Sequence, residues 1–169
     1  MYQLRLFATK HSSAYEKFYN FVEPTILKVL GFLSKRSNNK LDGIITSTEK
    51  HLKGALFDCK MCGNCVLSST GMTCPMNCPK TIRNGPCGGV RANGNCEVEP
   101  DMKCVWVQAW DGASRMQGGD KIHNVQFAVD ASHKGSSAWL RIIKNEEAEK
   151  EAAAKSKAPA AKSKAPAAK

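Results

Sequence analysis

The chain lacks any long apolar run, and it is short, with 169 residues. No stretch reaches the roughly 18 apolar residues that a membrane-spanning helix needs, so no membrane span is predicted. The first residues, Met1 to Lys10, lack the apolar segment and the cleavage site of a signal peptide. The length also falls short of the roughly 250 residues of a complete (β/α)8 barrel. These absences predict a small cytoplasmic protein with one domain and appendages.

Nucleotide-binding motifs and paired catalytic side chains are absent as well. The glycine-rich stretch 88–94 fits neither a phosphate-binding loop nor a dinucleotide fingerprint. No nucleophile stands beside a base, and the acids Asp111, Asp120 and Asp130 are isolated along the sequence. The sequence therefore assigns no catalytic residue.

The formal net charge of +10 is concentrated at the C-terminus. Residues 155–169 carry five lysines and no acid, which leaves +5 for the rest of the chain. Four thiolates around zinc or an oxidised four-iron cluster carry a net charge of about −2, so two such sites bring the remainder close to neutral. The tail lysines lie in a repeat without aromatic residues, so a nucleic-acid-binding zinc protein is the least favoured hypothesis.

Cysteine is what the sequence has in abundance. All eight cysteines fall within residues 59–104. Thiols stay reduced in the cytoplasm, so this number indicates metal ligands rather than disulfides. The candidate metal ligands are Cys59, Cys62, Cys65, Cys74, Cys78, Cys87, Cys96 and Cys104. Because the region is rich in Gly, Pro and Asn, metal binding is expected to supply its folding energy.

The cysteine spacing favours iron–sulfur clusters, most simply of the 4Fe-4S type, over zinc. Two residues separate Cys59 from Cys62 and Cys62 from Cys65, as in bacterial ferredoxins. The three-residue spacing and the proline that complete the ferredoxin run reappear at Cys74 and Cys78, after an eight-residue insertion. Zinc sites with four cysteines usually pair two separate Cys-x2-Cys knuckles, and the second knuckle is absent. Zinc remains the alternative, and spacing does not divide the thiols between sites.

The N-terminal segment, residues 1–57, shows the apolar spacing of helices. Pro24 suits the first turn of a second helix, which is expected to end near Leu33. Thr46 and Glu49 have capping-box spacing for a short third helix that ends near residue 57. The apolar run 26–33 fits either a core helix or a face that docks onto a partner subunit or a membrane surface.

The predicted fold is a small, irregular α+β protein whose cysteine-rich domain, residues 58–116, is nucleated by metal. Within this domain the pair Asn93-Gly94 predicts a short β-hairpin over 90–98. Residues 117–144 are predicted to be an irregular docking segment. Residues 145–169 form a low-complexity Lys/Ala/Pro tail, in which 146–155 has helical composition and disorder is expected after about Glu151.

Two tryptophans and four basic residues are candidates for contact with other proteins. Trp106 and Trp110 follow the cysteines at helical spacing and are candidate interface anchors. The basic residues among the cysteines either offset thiolate charge, receive an acidic electron carrier, or form a solvated rim. These residues are Lys80, Arg83, Arg91 and Lys103.

Five runs around the cysteines resemble a known family. The runs are Phe57–Gly71, Cys74–Lys80, Arg83–Gly89, Gly94–Val98 and Cys104–Trp106. Together they resemble the methylenetetrahydrofolate reductase C-terminal domain, a small cysteine-rich part that accompanies or is fused to the flavin-containing reductase barrel. The resemblance covers about residues 50–116.

The resemblance implies a partner and a function. The partner is a flavin-containing methylenetetrahydrofolate reductase, with flavin expected only on that subunit. The chain is then expected to be an accessory iron–sulfur subunit that supports electron transfer in one-carbon metabolism. The electrons are expected to come from a ferredoxin-like carrier. A structural zinc module without redox work is the alternative. Without the barrel, the chain is not expected to catalyse the reaction alone.

Overall fold

A computed structural model describes residues 2–37 and 40–157 of the chain. Its regular structure consists of α-helices joined by irregular segments and short 3₁₀ turns. The α-helices are α1 (Tyr2–Lys10), α2 (Ser12–Arg36), α3 (Asp42–Phe57), α4 (Val105–Ala113) and α5 (Ala138–Lys157). None of the helices in these two ranges is both long and apolar enough to cross a bilayer.

The predicted α+β fold is wrong, because the described part of the chain contains no β-strand and no hairpin. A turn is present, but it is centred on Ala92 and Asn93, because Gly94 N donates to Arg91 O at 2.8 Å. Gly94 has a φ of 80°, whereas Asn93 is not left-handed, so the turn is not the predicted type I′ turn on Asn93-Gly94. It closes only one isolated bridge, between Val90 and Cys96. A hairpin of two strands is marginal on its own. Here the chain turns again over residues 97–101 before a ladder can extend.

The first helix break lies earlier than the sequence predicts. Pro24 is inside α2, and the break between α1 and α2 falls at His11, whose φ of −104° and ψ of 24° are not helical. A proline within a helix removes a backbone hydrogen bond and commonly ends or kinks it. α2 continues to Arg36 because its second half packs against α5, where Gly31 lies beside Ile143.

The third helix also begins earlier than its capping signal. α3 starts at Asp42, and the hydroxyl of Thr46 donates to the carbonyl oxygen of Asp42 at 2.7 Å, within the helix. Thr46 is therefore not a cap. The helix ends at Phe57, where the sequence predicts its end, and Asp58 follows in the left-handed region with a φ of 52°.

The expectation of a disordered tail after about Glu151 is wrong up to Lys157, where α5 ends. Alanine, glutamate and lysine favour helix, and an ion pair of 2.9 Å between Lys35 and Glu147 joins α5 to α2. The remainder of the predicted tail, residues 158–169, lies outside the described residues.

The core forms where α1, α3 and α4 meet the cysteine-rich segment. Its buried members are Ala8, Phe57, Leu67, Met72, Cys74 and Met116. α4 approaches this segment most closely at Gly71, which has a φ of 59°. A β-carbon on Gly71 would lie 2.2 Å from the carbonyl oxygen of Ala109. Only glycine permits this contact, which fixes the cysteine-rich segment against α4.

Candidate metal centre

Four of the predicted ligands line a single cavity beside the end of α3. These residues, called the first cysteine group below, are Cys59, Cys62, Cys65 and Cys74. Cys59 follows α3 directly after Asp58, and Cys74 immediately precedes a short 3₁₀ turn. The walls of the cavity between these sulfurs are largely apolar, with charge contributed by a few side chains of α3 and of the loop around residue 83.

The loop that carries the first three cysteines is held by the segment before α5. The backbone of Met61 and Gly63 is left-handed, with φ of 48° and 73°. A β-carbon on Gly63 would lie 2.4 Å from the carbonyl oxygen of His133, so glycine is required there. Gly135 N donates to Met61 O, and Arg141 Nη1 donates to Gly63 O, both at 2.7 Å. The predicted irregular segment 117–144 is helical from Ala138, where α5 begins, and this junction shapes the cysteine loop.

Burial makes two thiols of this group, those of Cys59 and Cys74, difficult to ionise. The pKa of Cys74 is raised to about 12, first by burial and then by the neighbouring Cys59 thiolate. Burial also raises the pKa of Cys59, although Met61 N donates to its sulfur at 3.4 Å. Metal ions bind thiolates, so metal binding here must release protons. Positive charge nearby favours the same ionised form.

Arg83 supplies such a charge at the cavity wall. Its guanidinium donates from Nη1 to Cys62 Sγ at 3.9 Å and from Nη2 to the carbonyl oxygen of Asn64 at 3.2 Å. The side chain is only 8% exposed, and its Nε is buried without a hydrogen-bond partner. A second buried guanidinium, that of Arg5 on α1, also has nitrogens without a hydrogen-bond partner among the described residues.

Lys53 on α3 brings a further cation to the group. Its ammonium lies 2.6 Å from Glu49 Oε1 and 4.6 Å from the centre of the Trp139 ring. The carboxylate of Glu49 also accepts a hydrogen bond from Ser137. Burial alone would lower the pKa of Lys53, but the Cys65 thiolate and the Glu49 carboxylate outweigh it and raise the pKa. This buried network joins α3, α5 and Cys65.

The other predicted ligands lie near a more exposed ion pair. Lys80 and Glu97 form this pair, and Cys87 Sγ lies 3.8 Å from Glu97 Oε1. The pKa of Lys80 is raised, chiefly by its hydrogen bond to Glu97 and further by the Cys87 and Cys96 thiolates. Cys87 and Cys96 therefore share one electrostatic environment, and a carboxylate is part of it.

Cys104 is joined to this environment through the backbone, whereas Cys78 is grouped with it by sequence position. Cys104 N donates to Gly94 O at 2.9 Å, which places Cys104 beside the turn that carries Cys96. Cys78 precedes Lys80 by two residues. The second cysteine group is defined here as Cys78, Cys87, Cys96 and Cys104.

Within residues 2–37 and 40–157, no three cysteine, histidine or acidic side chains approach closely enough to hold one metal ion. None of the eight cysteines forms a disulfide. The role of the eight cysteines as ligands therefore stays a prediction, as does the choice between iron–sulfur and zinc. The donor set of the first group fits a thiolate-held centre, because a buried guanidinium with an unpaired nitrogen suits an anionic neighbour.

Most of the network around the first cysteine group is not evident from the sequence. Glu49 and Lys53 carry a usable signal, since opposite charges at this helical spacing commonly pair. Their burial, and the bond from Ser137 some 88 residues away, have no local signal. Arg83 was recognised only as one of several basic residues near cysteines. Its neighbour Lys80 is exposed and paired with an acid instead.

The two tryptophans predicted to contact a partner have different environments. Trp106 is 6% exposed, and its Nε1 donates to the carbonyl oxygen of Ile82 at 2.9 Å, so it belongs to the core. Trp110 is 58% exposed and packs edge-on against His123, with 5.5 Å between ring centroids. Only Trp110 is available at the surface.

A family model described as "Methylene-tetrahydrofolate reductase C terminal" matches residues 38–132. The matched range includes all eight cysteines and the region of about 50–116 that carries the sequence resemblance. No curated protein and no solved structure matches the chain. Because the matched range covers more than half of its 169 residues, the chain belongs to the methylene-tetrahydrofolate reductase C-terminal family.

Proposed function

We propose that the chain is an accessory iron–sulfur subunit that supports electron transfer to or from a flavin-dependent methylenetetrahydrofolate reductase. Family membership supports association with such a reductase. The observation that carries the redox role is the first cysteine group, in which four thiols line one cavity beside a buried guanidinium. This arrangement suits a centre of negative charge, with Cys65 on its exposed side.

The proposed ligands divide into two sites. The first cysteine group holds one centre and the second cysteine group holds the other. An iron–sulfur cluster accepts and donates single electrons, and its potential depends on net charge, hydrogen bonds to sulfur and solvent exposure. The surrounding residues therefore have defined tasks. Met61 N and Arg83 donate to sulfur.

Exposed apolar side chains on α2 support a docking role. Phe18, Phe21, Val29 and Phe32 lie on one face of the helix and are each at least half exposed. Contiguous exposed apolar surface of this kind commonly marks an interaction site. Half-buried residues such as Ile26 border this face. The reductase is proposed to cover the exposed face, with a ferredoxin-like carrier reaching the cysteine groups elsewhere.

The metal content of protein purified without oxygen tests the redox role. We expect brown protein that contains iron and acid-labile sulfide, with a broad absorbance from charge transfer between thiolate and iron. Reduction with dithionite should bleach this absorbance and produce an electron paramagnetic resonance signal. Colourless protein with stoichiometric zinc and no iron would replace the redox role with the structural zinc alternative.

The reductase association has its own test. The chain and a flavin-containing methylenetetrahydrofolate reductase should form a complex in size-exclusion chromatography, and the chain alone should show no reductase activity. Activity of the reductase with a one-electron donor should depend on the chain. Equal activity with and without the chain, for every donor tried, would contradict a role in electron delivery even if the complex forms.

A further inference from the structure

The positive charge of Arg83 has no acidic partner in the described residues. The ion pairs of the described residues all involve side chains other than Arg83. The polar partners of Arg83 are Cys62 Sγ at 3.9 Å and the carbonyl oxygen of Asn64 at 3.2 Å. Its Nε has no partner and is buried. A buried charge is strongly unfavourable unless an opposite charge compensates it. The nearest source of negative charge is the first cysteine group, once its thiols are ionised.

The second cysteine group has the opposite electrostatic setting. Its basic neighbour Lys80 is already neutralised by Glu97, and the Glu97 carboxylate lies 3.8 Å from Cys87 Sγ. A carboxylate beside a thiolate disfavours additional negative charge. The ion pair is also exposed to water, which weakens its influence on the neighbouring cysteines.

We propose that Arg83 is the counter-ion of the first cysteine group, and that its charge makes the centre held there the more easily reduced of the two. This inference rests on the proposed iron–sulfur function. A one-electron donor of the ferredoxin class loses one electron, and the accepting centre changes from a net charge of about −2 to about −3 without loss of a ligand. A buried cation stabilises the more negative state. An electron that enters at the second cysteine group would therefore transfer to the centre held by the first.

Potentiometric titration of the full chain, followed by electron paramagnetic resonance, tests this inference. The signal of the first centre is identified as the one that is lost in Cys62→Ser. Arg83→Gln should lower the equilibrium constant for reduction of that centre about tenfold, which is about 59 mV for one electron. The potential at which the signal of the second centre appears should not change. A shift of both signals by the same amount, or of neither, would overturn the proposal.

Two further variants separate charge from packing. Arg83→Lys keeps the positive charge, so the potential of the first centre should stay close to that of the parent protein. Lys80→Gln removes a cation near the second group and should leave the first centre unchanged. If Arg83→Gln fails to retain iron, the iron content of Arg83→Lys decides: recovery supports the counter-ion role, and equal loss in both variants contradicts it. Protein that contains zinc without iron would refute the proposed redox function itself, and this outcome is distinct from unshifted potentials in an iron-containing protein.

Discussion

The ammonium of Lys53 and the carboxylate of Glu49 form an ion pair of 2.6 Å with almost no exposure to water, 8% and 1% for the two side chains. The pair lies one helical turn apart on α3. Its geometry resembles that of Asp111 and Arg115, which are also four residues apart and 2.7 Å from each other but are exposed. The two pairs share sequence spacing and differ in burial, so they provide a matched comparison.

Breaking the buried pair should be costly. Lys53→Met leaves the Glu49 carboxylate buried without its cation, and we expect the free energy of unfolding to fall by about 3–5 kcal/mol. Denaturant unfolding followed by circular dichroism measures this change. In the exposed control, Asp111→Asn, the change should be about 0–1 kcal/mol. Similar effects of both variants would show that the buried network does not stabilise α3.

Single cysteine substitutions should show that the metal is held in two separate sites. If the two cysteine groups each hold a four-iron cluster, Cys62→Ser should lose about half of the iron, and Cys96→Ser should lose the other half. Iron and sulfide analysis of anaerobically purified variants measures the loss. The double variant should retain almost none. A complete loss of iron from either single variant would instead indicate one shared centre or strictly coupled folding.

The close contact between Gly71 and α4 predicts a sharp response to one added methyl group. Gly71→Ala forces alanine into a left-handed backbone with a φ of 59°, and its β-carbon would lie 2.2 Å from Ala109 O. We expect a loss of more than about 2 kcal/mol in the free energy of unfolding. Gly54→Ala is the control, because nothing lies within 4 Å of the added carbon and the residue is inside α3.

The control should move stability in the opposite direction. Alanine favours helix over glycine by up to about 1 kcal/mol, so Gly54→Ala should raise the midpoint of unfolding. A stable Gly71→Ala protein with unchanged metal content would mean that α4 does not fix the cysteine-rich segment.

The exposed face of α2 predicts a selective loss of partner binding. Phe21 is 82% exposed, so Phe21→Ser should change the free energy of unfolding by less than about 0.5 kcal/mol. If the reductase covers this face, its affinity for the chain should fall roughly tenfold or more in a titration by calorimetry. Ile44→Ser on α3 replaces another exposed apolar residue and should leave binding unchanged. Equal affinity of the Phe21 variant and the parent would move the interface elsewhere, with the surface around Trp110 as the next surface to test.

The sequence alone determined the family, the eight candidate ligands and the helical nature of the first segment. These features depend on local information: cysteine spacing is read directly, and the apolar periodicity of α2 needs no knowledge of its neighbours. The end of α3 at Phe57 was predictable for the same reason. The presence of a turn next to Gly94 was also predictable, although the turn is centred one residue earlier than the predicted pair Asn93-Gly94.

Only the tertiary structure decided which local signals prevailed. The hairpin failed to extend because the chain turns again after Val98, and Pro24 was accommodated because α2 packs against α5. The division of the cysteines into two groups likewise depends on long-range contacts, such as the hydrogen bond from Arg141 to Gly63. Burial, and the absence of an acidic partner among the residues that the structure describes, distinguish Arg83 from Lys80. Both properties arise from residues distant in the sequence, and spacing carries no information about them.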